Sequence, residues 1–360
     1  MKILFLHLTM GLVERGSEIS TDIIATALAK DHEVLVIQSG PQKPKPYHVK
    51  RIYPLGVAPP AAPTSLIAKL SFRLGLDLES QTVIRFTRAA IPLIQSFKPD
   101  IIVATNGAPQ LAILQACLRR QGLALQAKLV VFGRAGIGHH DEANLRAKPD
   151  LFIALTPQAE SWARQITSKF TKIVYIPNPI SPVGANPCIR PCNLSRPIVL
   201  CVGALSAYKN INSVIEAVRQ TSCSLLLTGD GEESMHIQQA LSTLGNDFRW
   251  IKHLESSELP AYYAAADVFC FVPDPQEAFG RVYLEAMVAG LPIVASDDPI
   301  RRSIVGAKGI YVDPHNSQAL ASAISQAVLM GKQDYSQELA PYQLGRVIKQ
   351  LEKEFHDLIT

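Results

Sequence analysis

Residues 275–296 read Pro275-Gln-Glu277-Ala-Phe-Gly280-Arg-Val-Tyr-Leu-Glu285-Ala-Met-Val-Ala-Gly290-Leu-Pro-Ile-Val-Ala-Ser296. Gly280 stands where a helix opens, Gly290 where a C-cap glycine closes it, and Leu-Pro-Ile-Val-Ala-Ser reads as a buried strand. Glu285 then lies within the first turn and a half of the helix, and Glu277 on the loop before it. The two carboxylates bracket the helix N-terminus, whose unpaired N–H groups and dipole favour a phosphate. A plainer reading makes Glu277 a solvated loop charge and Glu285 a helix-face charge.

Working outward, the same strand-then-helix grammar fills both halves of the chain. Apolar runs at 2–8, 33–37, 100–104, 128–132, 151–155 and 173–176 alternate with helical patterns near 17–29, 65–97, 109–121 and 157–167. Runs at 198–203, 224–228, 248–252, 268–272 and 292–296 alternate with helical patterns near 210–220, 232–244, 256–265 and 281–289. Continuous apolar strands separated by helices require parallel sheets covered on both faces. Six prolines between 177 and 197 forbid regular helix or central strand and mark a linker. A second proline-rich stretch, 41–63, reads as a surface loop. The organisation expected is a Rossmann-like domain over 1–185, a second over 186–334, and a terminal helix over 335–360 with Leu344, Val347, Ile348, Leu351, Phe355 and Leu358 on one face, a stripe that either domain could cover, the first domain being one candidate. Two doubly wound sheets present ligand sites at the carboxyl ends of their strands, so a central cleft is expected between them.

Composition narrows the function. The 360 residues carry a formal charge of +4, too small to argue for a nucleic-acid coat. Residues 1–185 hold 21 basic and 12 acidic side chains, a net +9, and residues 186–360 hold 14 and 19, a net −5. The halves therefore face different partners. Six cysteines are too few for a disulfide framework, and Cys188-x3-Cys192 lacks a second ligand pair, so no metal is expected. The apolar N-terminus is interrupted by Glu14, Arg15, Glu18 and Asp22, which makes it a buried first strand rather than a leader, and no membrane-spanning run follows. A cytoplasmic protein is the expectation.

Glu277-x7-Glu285 with the Ala289-Gly-Leu-Pro-Ile-Val-Ala-Ser296 run closely resembles the signature of retaining glycosyltransferases of family 4, which have the GT-B fold. Met1-Lys-Ile-Leu-Phe5, Arg15-Gly16-Ser17-Glu18, Lys98-Pro-Asp-Ile-Ile102, Ile176-Pro-Asn178, Val202-Gly-Ala-Leu205, Tyr208-Lys209-Asn210 and Thr228-Gly-Asp-Gly231 are similarly placed. The resemblance implies a nucleotide-sugar donor on the C-terminal domain and a hydroxyl acceptor, a glycan or lipid-linked envelope precursor, on the N-terminal one. Glu285 would hold the ribose hydroxyls and Glu277 the donor sugar. The N–H groups of Ala278, Phe279 and Gly280 would face sugar and diphosphate, with Gly203 and Gly229 in the adjoining loops. Lys209 would neutralise the diphosphate without a metal or other cofactor. The family's Arg after Gly203 is Ala204 here, and Arg281 or Arg134 would substitute for it. Gly11 and Gly16 lie on the loop after the first strand, where a backbone can approach a ligand; simple turn chemistry is the alternative. The family often places a His after the strand that here ends in Gly133-Arg134, so that role falls to His139 or His140, each equally readable as a loop histidine.

Lys69 and Arg73, followed by Arg85 and Arg88, lie beside apolar side chains. That pattern suits a face docking on the anionic inner surface of a membrane, or a core-facing stripe with solvated charges. Three rival functions compete with transfer. Hydride transfer lacks G-x-G-x-x-G after the first strand. A sugar-nucleotide epimerase or hydrolase shares the architecture, and Ala204 motivates a non-catalytic nucleotide-sugar binder.

Overall fold

The computed structural model describes residues 1–41, 43–53, 77–119, 126–167, 170–180, 194–245 and 247–360. They form two compact units: 1–155, 159–179 and 345–360 make the first, and 156–158 and 180–344 the second. The expected boundary at 185/186, Cys188, Cys192, Lys69 and Arg73 lie outside the described residues.

The first unit is built on seven parallel strands, β1 (Lys2–His7), β2 (Glu33–Gln38), β3 (His48–Arg51), β4 (Ile101–Ala104), β5 (Lys128–Gly133), β6 (Leu151–Ala154) and β7 (Lys172–Tyr175), in the order β3-β2-β1-β4-β5-β6-β7. Ile3 pairs with Val34 on one side and Ile101 on the other. Consecutive residues of β1, β4 and β6 are buried, so both faces of the sheet are covered, as their unbroken apolar runs require. The second unit has six parallel strands, β8 (Ile198–Val202), β9 (Ser224–Thr228), β10 (Phe248–Ile251), β11 (Val268–Phe271), β12 (Ile293–Ser296) and β13 (Ile310–Val312), in the order β10-β9-β8-β11-β12-β13. In each sheet the strand order reverses beside its first strand, between β1 and β4 and between β8 and β11. Open α/β sheets bind ligands at such points, beyond the carboxyl ends of the strands.

Two of the four edge strands depart from the sequence expectation, while β7 and β10 fall where it places strands. The stretch 41–63, which reads as loop, contains β3, where Val49 alone is buried. One inward residue in four leaves no apolar run to see. β13 is half-buried and likewise falls outside the expected strands. Two further helices, His139–Arg146 and Pro299–Val305, also add to the expected set. The terminal segment is not one helix: Pro341 interrupts it, leaving Ser336–Leu339, a 3-10 turn at Ala340–Tyr342 and the helix Leu344–Ile359. That last helix buries Val347, Ile348, Leu351 and Phe355. Gln350 Nε2 donates to the Tyr175 carbonyl at 2.9 Å, and Glu352 and Glu354 meet His32 and Lys172. Cys201, Cys223 and Cys270 are buried thiols outside any disulfide, and Cys117 is partly buried.

Candidate functional site

In the second unit the loops that follow β8 and β11, the strands flanking the reversal point, are laced together. Asp274 N–H donates to the Tyr208 carbonyl at 2.8 Å, and Asn210 Nδ2 donates to the Val272 carbonyl and to Asp274 Oδ1. Lys209 ends the first loop and Glu277 stands on the second, and Lys209 Nζ donates directly to Glu277 Oε2. Both side chains are largely buried. The Lys209 ammonium also lies 4.8 Å from the Tyr208 ring centroid and 5.1 Å from that of Phe271. Burial, and after it the Arg301 guanidinium, lower Lys209 to about 8, so it is still a cation at pH 7.

Glu285 lies on the helix Arg281–Val288, which Gly280 caps in the left-handed conformation at φ 80°. A Cβ on Gly280 would sit 2.7 Å from the Tyr283 ring, so the residue must be glycine on two counts. Tyr283 in turn donates to the Phe271 carbonyl at 2.6 Å, pinning the helix to β11. Gly290, at φ 69°, follows the helix as the C-cap expectation requires. Buried Tyr263 donates to Glu285 Oε2 at 2.9 Å, and Arg281 Nη2 lies 3.8 Å from Glu285 Oε1. Arg281, expected to replace the arginine missing at Ala204, is thus turned toward the Glu285 carboxylate. Gly203 and Gly229 meet backbone to backbone: a Cβ on Gly229 would run into the Gly203 oxygen. Trp250 Nε1 donates to the Gly229 carbonyl at 2.8 Å. His253 is exposed beside Glu255.

The sequence expectation misses Tyr263 and Arg301, both buried. Arg301 Nη2 donates to the carbonyls of Glu277 at 2.8 Å and Asp274 at 3.3 Å. A basic residue amid Ile300 and Ile304 gives the only signal, and its neighbour Arg302, which is exposed, makes the pair look like a solvated patch.

In the first unit, Gly11 has φ 79° and packs on Gly40. Gly16 opens the helix Gly16–Leu28 and is exposed. Arg134 Nη1 donates to Ser17 Oγ and carbonyl at 3.1 Å and to Thr21 Oγ1 at 2.6 Å. His7 Nε2 lies 3.1 Å from the same Ser17 Oγ, and burial, followed by the Arg134 charge, lowers His7 to about 3. It is therefore neutral at physiological pH. His139 and His140 begin the helix His139–Arg146; His139 is exposed beside Glu142, and surrounding protein, then His139, lower the His140 pKa. Behind them, buried Asp141 accepts from Asn144 Nδ2 at 3.0 Å and from the N–H groups of Gly136 and Ala135. No cluster of His, Cys, Asp or Glu among the described residues has the makings of a metal centre.

Residues 189–342 match the family model described as glycosyl transferases group 1. The O-antigen chain mannosyltransferase B of Escherichia coli is 29% identical over 164 residues, 43% of this chain and 42% of that protein. A GDP-mannose-dependent alpha-mannosyltransferase of Mycolicibacterium smegmatis is 29% identical over 136 residues, 37% of this chain and 35% of that protein. The chain thus matches less than half the length of these relatives. Among solved structures, a sucrose-phosphate synthase from Thermosynechococcus elongatus superposes with a TM-score of 0.76 at 20% identity, over 99% of this chain and 98% of that one. The Anabaena HepE protein in complex with UDP-glucose gives 0.73 at 20% identity, over 99% and 100%. The two Rossmann-like sheets are those of the GT-B fold, and the stretch matched by the family model carries Glu277, Glu285 and Lys209.

Proposed function

We propose that the chain is a nucleotide-sugar-dependent glycosyltransferase whose second unit binds the donor. One observation carries the reading: at the reversal point of the second sheet, a buried cation and a largely buried carboxylate pair across two adjoining loops, with Glu285 on the helix beyond. Folding does not need such a pair, since burying two charges costs several kcal/mol per ion before their attraction is counted. A donor explains it. Its diphosphate takes Lys209, its sugar hydroxyls take Glu277, and its ribose takes the Glu285 carboxylate that Tyr263 orients. As the sugar leaves, negative charge grows on the diphosphate, where Lys209 and the N–H groups of Ala278, Phe279 and Gly280 stabilise it. The reading assigns neither glutamate as general base and needs no metal ion, and it takes retention of anomeric configuration from the family resemblance.

The first unit, with its Gly16 loop, Arg134, His139 and His140, is assigned the acceptor, a glycan or lipid-linked hydroxyl. Arg85 and Arg88 are exposed on the helix Leu78–Phe97, which suits an acceptor held at an anionic membrane surface. Sedimentation with anionic and neutral vesicles at varied salt tests this, and equal binding to both refutes it. No described helix is long and apolar enough to cross a membrane.

The donor assignment is tested by incubating the protein with UDP-, GDP- and ADP-sugars and an acceptor panel, measuring nucleotide release and product mass. Turnover lost in Glu277→Ala and Lys209→Ala supports it; unchanged turnover in both refutes it. Ala204 favours a second reading, a nucleotide-sugar binder without turnover. Donor binding abolished by Glu285→Ala, with no product from any acceptor, would select that one.

A further inference from the structure

Arg301 is the largest fully buried side chain among the described residues, and its environment does not repay its burial in the usual way. It lies on the short helix Pro299–Val305, capped by Asp298, whose Oδ1 already accepts from the N–H groups of Ile300 and Arg301 at 2.9 and 3.0 Å. The guanidinium is 3.4 Å from that same oxygen, a long contact for an ion pair, and its Nε has no hydrogen-bond partner. A core arginine held only for stability would be matched bidentately to a carboxylate. Instead Nη2 is spent on two backbone carbonyls, Asp274 and Glu277, the two ends of the turn that Glu277 N–H closes on the Asp274 carbonyl at 3.0 Å. The guanidinium also hydrogen-bonds the Tyr283 hydroxyl, the side chain that rules out a Cβ on Gly280.

We propose that Arg301 is a positioning residue for the donor loop. By gripping the Glu277 carbonyl from the core side, it sets the direction of the Glu277 side chain and of the N–H groups that follow it. Its charge also reaches Lys209, whose pKa it lowers. A cation beneath the loop thereby adds to the positive potential where Ala204 supplies none. This inference rests on the donor-site reading above.

The test uses Arg301→Gln, which keeps hydrogen-bonding capacity but loses the charge and the fork, and Arg301→Lys, which keeps the charge but loses the fork. Each full-length variant is titrated with UDP and UDP-glucose and with GDP and GDP-mannose, and kcat and KM are measured across a pH range of about 6.5 to 9.5, bracketing the Lys209 titration, with whichever sugar nucleotide the parent turns over. The expected result is a fall of about tenfold or more in kcat for both variants, the loss that a displaced positioning group brings. Affinity for the nucleoside diphosphate alone should change less than about threefold in Arg301→Lys, so that the sugar's contribution to binding is what is lost. The alkaline limb of kcat/KM, set by Lys209, should move upward in Arg301→Gln and stay in place in Arg301→Lys. Loss of kcat together with diphosphate affinity in Arg301→Lys, with no shift of the limb in Arg301→Gln, overturns the proposal in favour of a purely structural role. If Arg301→Gln does not fold, the kcat-against-affinity split in Arg301→Lys decides alone. Parental turnover with wild-type kinetics in both variants also overturns it. A parent that binds neither diphosphate, or binds one unaffected by Glu285→Ala, refutes the donor-site reading itself.

Discussion

Replacing Asp141 by asparagine should stabilise the first unit, and by an amount that depends on pH. The Asp141 carboxyl is 2% exposed and faces no cation in its hydrogen-bonding shell; desolvation raises its pKa from 3.8 to about 7 against three hydrogen bonds that oppose the shift. A carboxyl whose folded pKa exceeds its unfolded one binds more protons in the native state, so stability declines as pH rises from about 4 to about 7 and is flat beyond. Three pKa units amount to a destabilisation of about 4 kcal/mol at pH 8. The Asp141→Asn side chain would escape that term but offers one acceptor oxygen where the carboxylate offers two, and a buried N–H left unpaired costs about 1–3 kcal/mol. Asn144 Oδ1 is buried without a hydrogen-bond partner, so a flip of that amide can accept from the new one. The expected net gain is about 2 kcal/mol at pH 8, vanishing or reversing at about pH 4.5. The chain has two tryptophans. Trp162 packs against the core of the first unit, and Trp250 lies in the second, so urea unfolding followed by fluorescence in a Trp250→Phe background reports the first unit alone. A stability difference that is the same at acid and alkaline pH would mean that Asp141 ionises normally, and would refute the reasoning.

Lys209, held near pH 8, should make diphosphate binding pH-dependent: affinity for UDP or GDP is full at pH 7 and falls by up to about tenfold per unit above pH 8, while Lys209→Arg binds with a flat profile. Calorimetric titration across neutral and alkaline pH checks this, and a flat wild-type profile contradicts it. Tyr263→Phe removes an intramolecular hydrogen bond to the Glu285 carboxylate and should lower stability by about 1.5–3 kcal/mol, read as an earlier thermal melt, and on the donor-site reading it also weakens nucleotide binding by releasing Glu285, read by calorimetry. Gly229→Ala forces a Cβ onto the Gly203 carbonyl at φ 129° and should destabilise the second unit by about 1–3 kcal/mol, seen as an earlier urea transition of Trp250 in a Trp162→Phe background.

The interior strands and their parallel pairing are legible in the sequence because each is a short, unbroken run of Val, Ile and Leu, a pattern that only a doubly covered sheet rewards. β3 and β13 are not legible, since β3 buries Val49 alone and β13 is three half-buried residues, whereas the other two edge strands, β7 and β10, keep apolar residues enough to read. Within the candidate site, Glu277, Gly280 and Glu285 stand out by spacing, and Lys209 by its place after a strand. The Lys209–Glu277 ion pair, 68 residues apart in sequence, can be read from neither. Tyr263 and Arg301 escape notice for a similar reason: a tyrosine in an Ala-rich helix and an arginine in a basic doublet look like filler until packing points them at Glu285 and at the Glu277 carbonyl. Gly11 and Gly229 read in sequence as ligand-facing glycines, but each has an internal reason to be glycine, a backbone neighbour too close for a Cβ.

The return of the helix Leu344–Ile359 to the first unit makes the second unit an insertion within the first. The chain leaves the first unit at 179 and re-enters it at 345, and Ile180 N–H donates to the Tyr342 carbonyl at 2.8 Å, so the outgoing and incoming segments run side by side. During synthesis the first unit therefore waits, its sheet finished but its Val347–Leu351–Phe355 seam missing, until the whole second unit has left the ribosome. The same adjacency makes the insertion excisable: joining 179 to 345 through a few glycines should leave a self-sufficient first unit, and the reciprocal fragment a second, each open to study without the other.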